Sequence, residues 1–435
     1  MKWKSTFYTY FSSQAFSLLG ASMAQFAIVW WLTIQTGSAT VLAMASLSAL
    51  LPQALVSPYA GVIVDRCSRK HIIIIAELTK AIAALALVIS FAFGLESLWF
   101  IYLMLMIRAI GNAFHTPAKT AVTQMLVPEQ ELLRISGFNQ ILMSASSIAG
   151  PILGIMILNF TSIMVVLFLC MSGSLLASGI LLFLRIPEVE KSLEATKTSS
   201  LSDLKTAVRE VRSIHGMVPL LVFSVFINLV ATPMYTLFPL VTHDVFQGTG
   251  WHASFVQGAL GAGMIIGGIL LGTLLAKENK MKLFYVCTIV VGLSFTLIGF
   301  LNPNQFWIFT SLSIINGIAV AIVNGAMIAL VQSIIAAKLM GRVMALIVMM
   351  SMIASPIGLS IVGPLSEVVG LLPIFLYGGL FYLFALLLLW IKIRGIEFEK
   401  NEVKESSVMK YEFTSIEDKI DEARDYRNNY YQVVK

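Results

Sequence analysis

The residues of this chain best suited to chemistry are the few ionisable side chains that interrupt otherwise apolar stretches. Arg108 follows Met104, Leu105, Met106 and Ile107. A guanidinium stays charged in a protein, so Arg108 must face a cavity or a partner and not hydrocarbon. Glu77 and Lys80 stand three residues apart, on one face of any helix that holds them. They either neutralise each other or leave Glu77 as a titrating group coupled to Arg108. His243, Asp244 and His252 share one connection, a weak metal-ligand grouping better read as a hydrated loop. Cys67, Cys170 and Cys287 lie far apart with no CxxC pair, which argues against a disulfide framework or a zinc site. No nucleophile, histidine and carboxylate fall at one depth, and no Walker A sequence occurs, so no catalytic residue is assigned and the chain does not hydrolyse ATP itself.

The elements that must position these residues follow from composition. The 435 residues are 58% hydrophobic and 12% charged, with a mean hydropathy of +0.87. A soluble domain carries about 25% charged residues, so water is not the main solvent of this chain. Twelve apolar runs are each long enough to cross a bilayer as a helix, which takes ~20 residues. They span roughly 7–34, 41–64, 72–93, 98–118, 136–158 and 163–185, then 217–241, 253–276, 282–301, 306–330, 343–366 and 371–392. The predicted organisation is an N-terminal six-helix bundle (1–186), a linker (187–216), a C-terminal six-helix bundle (217–394) and a charged tail (395–435). The tail holds ten acidic and seven basic side chains. Within it Thr414-Ser415-Ile416-Glu417 reads as a capping box opening a short amphipathic helix.

Numbered alternately from a cytoplasmic N-terminus, the inner connections hold Arg66, Arg69, Lys70, Lys119, Arg134, Lys191, Lys277, Lys280, Lys338 and Arg342, whereas the outer connections hold no lysine or arginine. Positive loops stay on the cytoplasmic side, so both termini are expected inside a multi-pass membrane protein. The same distribution excludes a nucleic-acid surface, since the basic residues form no single face; their ordinary role is topology and contact with the lipid bilayer.

An internal repeat is legible. Ala121-Val122-Thr123-Gln124 resembles Ala329-Leu330-Val331-Gln332 at an offset of 208, and Ile148-Ala149-Gly150-Pro151-Ile152 resembles Ile353-Ala354-Ser355-Pro356-Ile357 at 205. Three such matches in one order, with Gly61 and Gly272 as the third, support a duplicated six-helix unit. Two parallel six-helix repeats with a substrate site between them are one way of building a transporter.

The segment Gly61-Val62-Ile63-Val64-Asp65-Arg66-Cys67-Ser68-Arg69-Lys70 resembles the G-x-x-x-D-R-x-G-R-K signature of the major facilitator superfamily, departing from it at Ser68. Arg108-Ala109-Ile110-Gly111 resembles the R-x-x-G element of that family's fourth helix. Gly150-Pro151-Ile152-Leu153-Gly154 resembles the G-P-x-x-G-G motif of its drug/proton antiporters, with Ile155 in place of the last glycine. The run from Arg108 to Ala118, with Leu126-Val127-Pro128, Leu237-Phe238-Pro239-Leu240 and Gly341-Arg342-Val343, is similar to the macrolide-efflux branch. The resemblance covers residues 5–395.

The resemblance implies an all-α major facilitator fold and export of macrolide-type amphiphilic drugs across a bacterial plasma membrane. A proton gradient supplies the energy and no cofactor is needed. It assigns proton coupling to Arg108, beside which Glu77, from its place among the apolar residues, is the second candidate, and a cytoplasmic gate to Asp65, Arg66, Arg69 and Lys70. The hinge falls at Gly150, Pro151 and Gly154, where small residues and a proline let helices approach and bend. In this fold helices 1, 4, 7 and 10 line the cavity, which makes Gln25, Phe26, Met104, Asn112, Asn228, Tyr235, Asn316 and Asn324 the substrate-cavity candidates. Gly263/Gly267 and Gly268/Gly272 are read as close helix-packing pairs, not as a dinucleotide loop. An uptake symporter or exporter of a non-drug metabolite, a membrane enzyme and a receptor are the alternatives. Whether an ATP-hydrolysing partner protein assists is left open by the sequence.

Overall fold

The computed structural model describes residues 2–128, 131–184, 186, 209, 212, 216–275, 278–335 and 337–394. Nearly all of the predicted linker and the whole tail, with its capping box, lie outside the described residues. Twelve helices among the described residues are long and apolar enough to span a membrane. We number them α1 (Lys2–Thr36), α2 (Ala39–Arg66), α3 (Arg69–Ala92), α4 (Leu98–Leu126), α5 (Leu132–Phe160), α6 (Ile163–Phe183), α7 (Met217–Leu240), α8 (Gly250–Gly272), α9 (Lys280–Ile298), α10 (Phe306–Ile334), α11 (Ala337–Val369) and α12 (Leu371–Ile393). A π-helical turn, Val241–Val245, extends α7.

Several helices run past the apolar stretches that announce them. The 29 residues of α4 rise ~43 Å at 1.5 Å each, against a hydrocarbon core of ~30 Å. The extra turns at Thr120–Leu126 carry on because backbone groups near the headgroups still need partners, which continuing the helix supplies. Tight turns close the opposite ends. Gly37 joins α1 to α2 with φ of +56°, a left-handed conformation that glycine adopts without a Cβ clash, and its N–H bonds Thr33 O at 3.0 Å. Ser38 then caps α2 by accepting from Val41 N.

The duplication read in the sequence is visible in the packing. In the first half α1 packs on α5 and α6, α4 on α2 and α3, and α3 on α6. In the second half α7 packs on α11 and α12, α10 on α8 and α9, and α9 on α12. The five pairings are the same after a shift of six helices. Equivalent polar contacts recur too. Ser22 Oγ donates to Ser146 O at 2.8 Å between α1 and α5, and Asn228 Nδ2 donates to Ser351 Oγ at 3.3 Å between α7 and α11. Trp99 and Trp307, each at the second residue of α4 and α10, are both exposed, as suits rings at a membrane interface.

The halves join chiefly through α2 with α11 and α5 with α8. Prolines interrupt α2, α5 and α11, while α8 carries glycines instead. Every hydrogen bond and ring contact between the halves among the described residues lies toward the end remote from the basic loops. Glu367 meets Ser38 and Thr40, Ser254 Oγ donates to Pro151 O at 3.0 Å, and Trp30 meets His243 edge-on at 5.9 Å. The apolar clusters agree. Phe26, Trp30, Ile155 and Ala253 form a junction of both halves at that end. At the basic end, the cluster around Phe7, Ile73 and Val122 is built from the first half alone, and that around Leu220, Phe284 and Val331 from the second half alone. The bundles are pinned at one end and separate at the other.

Candidate functional site

The spanning helices gather Glu77, Lys80 and His115 in one cluster. Glu77 on α3 has no exposed surface. Its Oε2 accepts from Ser17 Oγ of α1 at 2.8 Å, and its Oε1 lies 2.9 Å from Lys80 Nζ and 2.9 Å from His115 Nε2 of α4. His115 Nε2 is also 2.9 Å from Gln14 Oε1 of α1, and Ser17 Oγ is 3.4 Å from Ser174 Oγ of α6. One carboxylate therefore ties four helices together. Removing either partner of such a pair leaves an uncompensated buried charge, which costs about 3–5 kcal/mol.

The structure brings Glu77 to Lys80, as their spacing suggests, and keeps Arg108 apart. Arg108 is 7% exposed, with Nη2 3.9 Å from Cys170 Sγ and Nη1 without a partner. His115 is the participant missed by sequence reasoning. The signal was available: it stands seven residues after Arg108, on the same helix face.

The second half has no such chemistry. At the repeat offset of 208 the counterpart of Arg108 is Asn316. Asn316 is fully buried; its Oδ1 accepts from Tyr235 Oη at 2.5 Å and its Nδ2 donates to Ser294 Oγ at 2.5 Å. Neither α7 nor α10 contains Asp, Glu, Lys, Arg or His, and α9 has only Lys280 and Lys282 in its first turn.

The remaining cavity candidates divide by position. Phe26 belongs to the apolar junction of the halves, and Met104 is buried in the first-half core beside Leu105 and Leu167. Gln25 is half-buried, Asn112 and Asn324 are exposed, and none of the three side chains has a hydrogen-bond partner among the described residues. Asn228 lines a cavity of about 260 Å³ with Leu50, Ile347, Val348, Ser351, Met352 and Ser355, drawn from α2, α7 and α11. That cavity spans both halves and is mostly apolar, the usual character of a small-molecule site.

The predicted gate residues all sit within the first half. Asp65 is in the last turn of α2, and its side chain lies outside the described structure. Arg66 is exposed, and Arg69 is half-buried with an unpartnered Nε. Lys70 Nζ donates to Leu182 O and Leu184 O, both at 2.9 Å, capping the C-terminus of α6, where a cation is favoured.

The predicted hinge marks the crossing of α1, α5 and α8. A Cβ on Gly150 would overlap Ser22, and one on Gly154 would sit 3.0 Å from Met23 O. Gly263 and Gly267 likewise abut the α10 backbone at Ile314 and Ile318. The second glycine pair behaves otherwise: nothing approaches Gly268 or Gly272 within 4 Å. His252 caps α8 through Thr249, and His243 pairs with Asp244 at 2.6 Å; among the described residues no cluster suited to a metal occurs.

Two matching six-helix halves, pinned at one end and parted at the other, with buried charge in one half, define a multi-pass membrane transporter. The Major Facilitator Superfamily profile matches residues 10–359. The chain belongs to that superfamily. It is 35% identical to Macrolide efflux protein A of Streptococcus pyogenes over 378 residues, 87% of this chain and 93% of the relative. It is 36% identical to Macrolide efflux protein A of Enterococcus faecalis over 324 residues, 74% of this chain and all of that one. Among solved structures, the nucleoside transporter NupG superposes with a TM-score of 0.69 at 14% identity, covering 88% of this chain and 99% of that one. The D-xylose-proton symporter gives 0.69 at 15%, covering 87% and 96%. These two likenesses establish the fold.

Proposed function

We propose that this chain exports macrolides or related amphiphilic weak bases from bacteria by alternating access, driven by the proton gradient. The observation that carries the reading is the kinship with the macrolide efflux proteins along nearly their whole length. The orientation follows from the basic loops, which put both termini in the cytoplasm. In that frame the halves are pinned at the outer end and separate toward the cytoplasm, the arrangement from which a drug inside the cell is loaded. The apolar cavity beside Asn228 is one wall of the loading cleft, with Gln25, Asn112 and Asn324 as unpartnered polar groups that orient a large ligand. The return to this state requires the inner ends to reopen, and Asp65 and Arg69 are the first half's contribution to the cytoplasmic latch that breaks at that point.

The test is accumulation of a radiolabelled macrolide in efflux-deficient bacteria with and without the protein, before and after a protonophore. Lower accumulation that the protonophore restores is the expected result. Unchanged accumulation with confirmed membrane expression overturns the substrate, and lowered accumulation indifferent to the protonophore overturns the energy source.

A further inference from the structure

We propose that His115 is a proton-binding site of the transport cycle, held by Nε2 and loaded at Nδ1. The inference rests on the proton-driven reading above and names where the proton sits. The geometry fixes the ring. Nε2 lies 2.9 Å from Glu77 Oε1 and 2.9 Å from Gln14 Oε1. Both oxygens are acceptors, so Nε2 carries its hydrogen in every state, and the one position left to gain or lose a proton is Nδ1. Nδ1 has no partner among the described residues, and 13% of the side-chain surface stays open.

The other members of the cluster are unsuited to the task. Glu77 is fully buried and already accepts from Ser17, Lys80 and His115, so a proton on it would remove the charge that balances Lys80 and compete with a donor already in place. The charged and titratable groups around the ring are Glu77 and Lys80 of α3, Lys119 one turn further along α4, and Tyr10 of α1, which interacts with Glu77. Among the described residues of α6 only the Ser174 hydroxyl reaches the network, and α2 carries no charged residue before Asp65. With His115 neutral, Glu77 balances Lys80. A proton at Nδ1 makes the ring a cation, held by Glu77 and Gln14 and repelled by Lys80 and Lys119. An amphiphilic weak base entering as a cation adds to that repulsion, so drug and proton exclude each other, which is what an exchange of one for the other requires. The bonded partners of the ring lie on α1 and α3, so the proton acts on the packing of α4 against both.

The test uses the full-length protein in proteoliposomes, with radiolabelled macrolide as the probe. His115→Gln retains an N–H donor toward Glu77 but cannot bind the proton. Drug-for-drug exchange at equal pH, which moves no net proton, should stay within about twofold of wild type, while uptake driven by a pH gradient should fall at least tenfold. Gradient-driven uptake that survives in His115→Gln overturns the proposal and leaves proton-driven export standing. A wild-type protein that exchanges drug yet ignores the gradient overturns both. Should the variant fail to fold, wild-type protein with 15N-labelled histidine decides. One ring should titrate between imidazolium and the Nε2–H neutral form and turn neutral as drug saturates; no change in any of the five histidines on drug binding overturns the proposal.

Discussion

Glu367, near the end of α11, accepts hydrogen bonds from the hydroxyl of Ser38 and from the backbone N–H of Thr40. The carboxylate of one half thus sits on the helix N-terminus of the other, where a negative charge is favoured, and Ser38 is itself the residue that caps α2. No other carboxylate among the described residues joins the two halves. Its contact adds one charge to an outer end that is also held by the Ser254–Pro151 hydrogen bond and the Phe26, Trp30, Ile155 and Ala253 junction.

Removing that carboxylate should open the outer end. Glu367 is exposed, and interactions of exposed charges contribute about 0.2–1 kcal/mol, so Glu367→Ala should shift the ratio of outer-open to outer-closed molecules by up to about fivefold at a tenfold change per ~1.4 kcal/mol. The measurement is labelling of Ile155→Cys, at the buried junction beside Trp30 and Ala253, by an impermeant maleimide, in protein lacking Cys67, Cys170 and Cys287. An unchanged labelling rate would show that the junction alone holds the closure.

Glu77 and Lys80 should behave as a pair. Lys80→Met or Glu77→Gln alone leaves buried polarity unmatched, and each should lower the yield and melting temperature of detergent-solubilised protein sharply, by an amount on the order of 3–5 kcal/mol. The double variant should recover much of the loss. Additive losses in a double-mutant cycle would dismiss the coupling.

Adjacent glycines on α8 should differ. Gly267→Ala thrusts a methyl group into the backbone of α10 at Ile318 and should cost about 1–3 kcal/mol of overpacking, seen as a fall in thermal stability. Gly268→Ala, with nothing within 4 Å, should be neutral or slightly stabilising. Equal effects would mean that α8 and α10 are not packed in this register.

Tyr235→Phe probes a different assignment. The hydroxyl satisfies Asn316, so its loss should destabilise the second half by about 1–3 kcal/mol without weakening drug binding. A variant of wild-type stability with reduced macrolide affinity would instead return Tyr235 to the cavity wall.

How far the sequence reaches depends on the question asked of it. The twelve spans and the duplicated halves are written in long apolar runs and in motifs repeated about 205–208 residues apart, signals that survive without tertiary knowledge. Which way a residue faces is another matter. In a soluble helix polarity marks the solvent side, but here lipid and core are both apolar and the periodic signal disappears. Asn316 and Asn324 look alike on α10, yet one is sealed inside the second half and the other is exposed. Gly263 and Gly268 look alike on α8, yet one touches α10 and the other touches nothing. His115 escapes for a related reason: its partners come from α1 and α3, and no spacing along α4 reveals the register between helices.

The confinement of membrane-depth charge to α3 and α4 has a mechanical consequence. Those helices pack on α1, α2 and α6 of their own half, whereas the surfaces that must slide belong to α2, α5, α8 and α11. Ions and moving parts are therefore held in separate rooms. The second half is the plainer copy of a duplicated unit, with no such buried cluster of charge among the described residues. Substitutions along α8 and α11 can reshape the cleft while every buried charge keeps its neighbours.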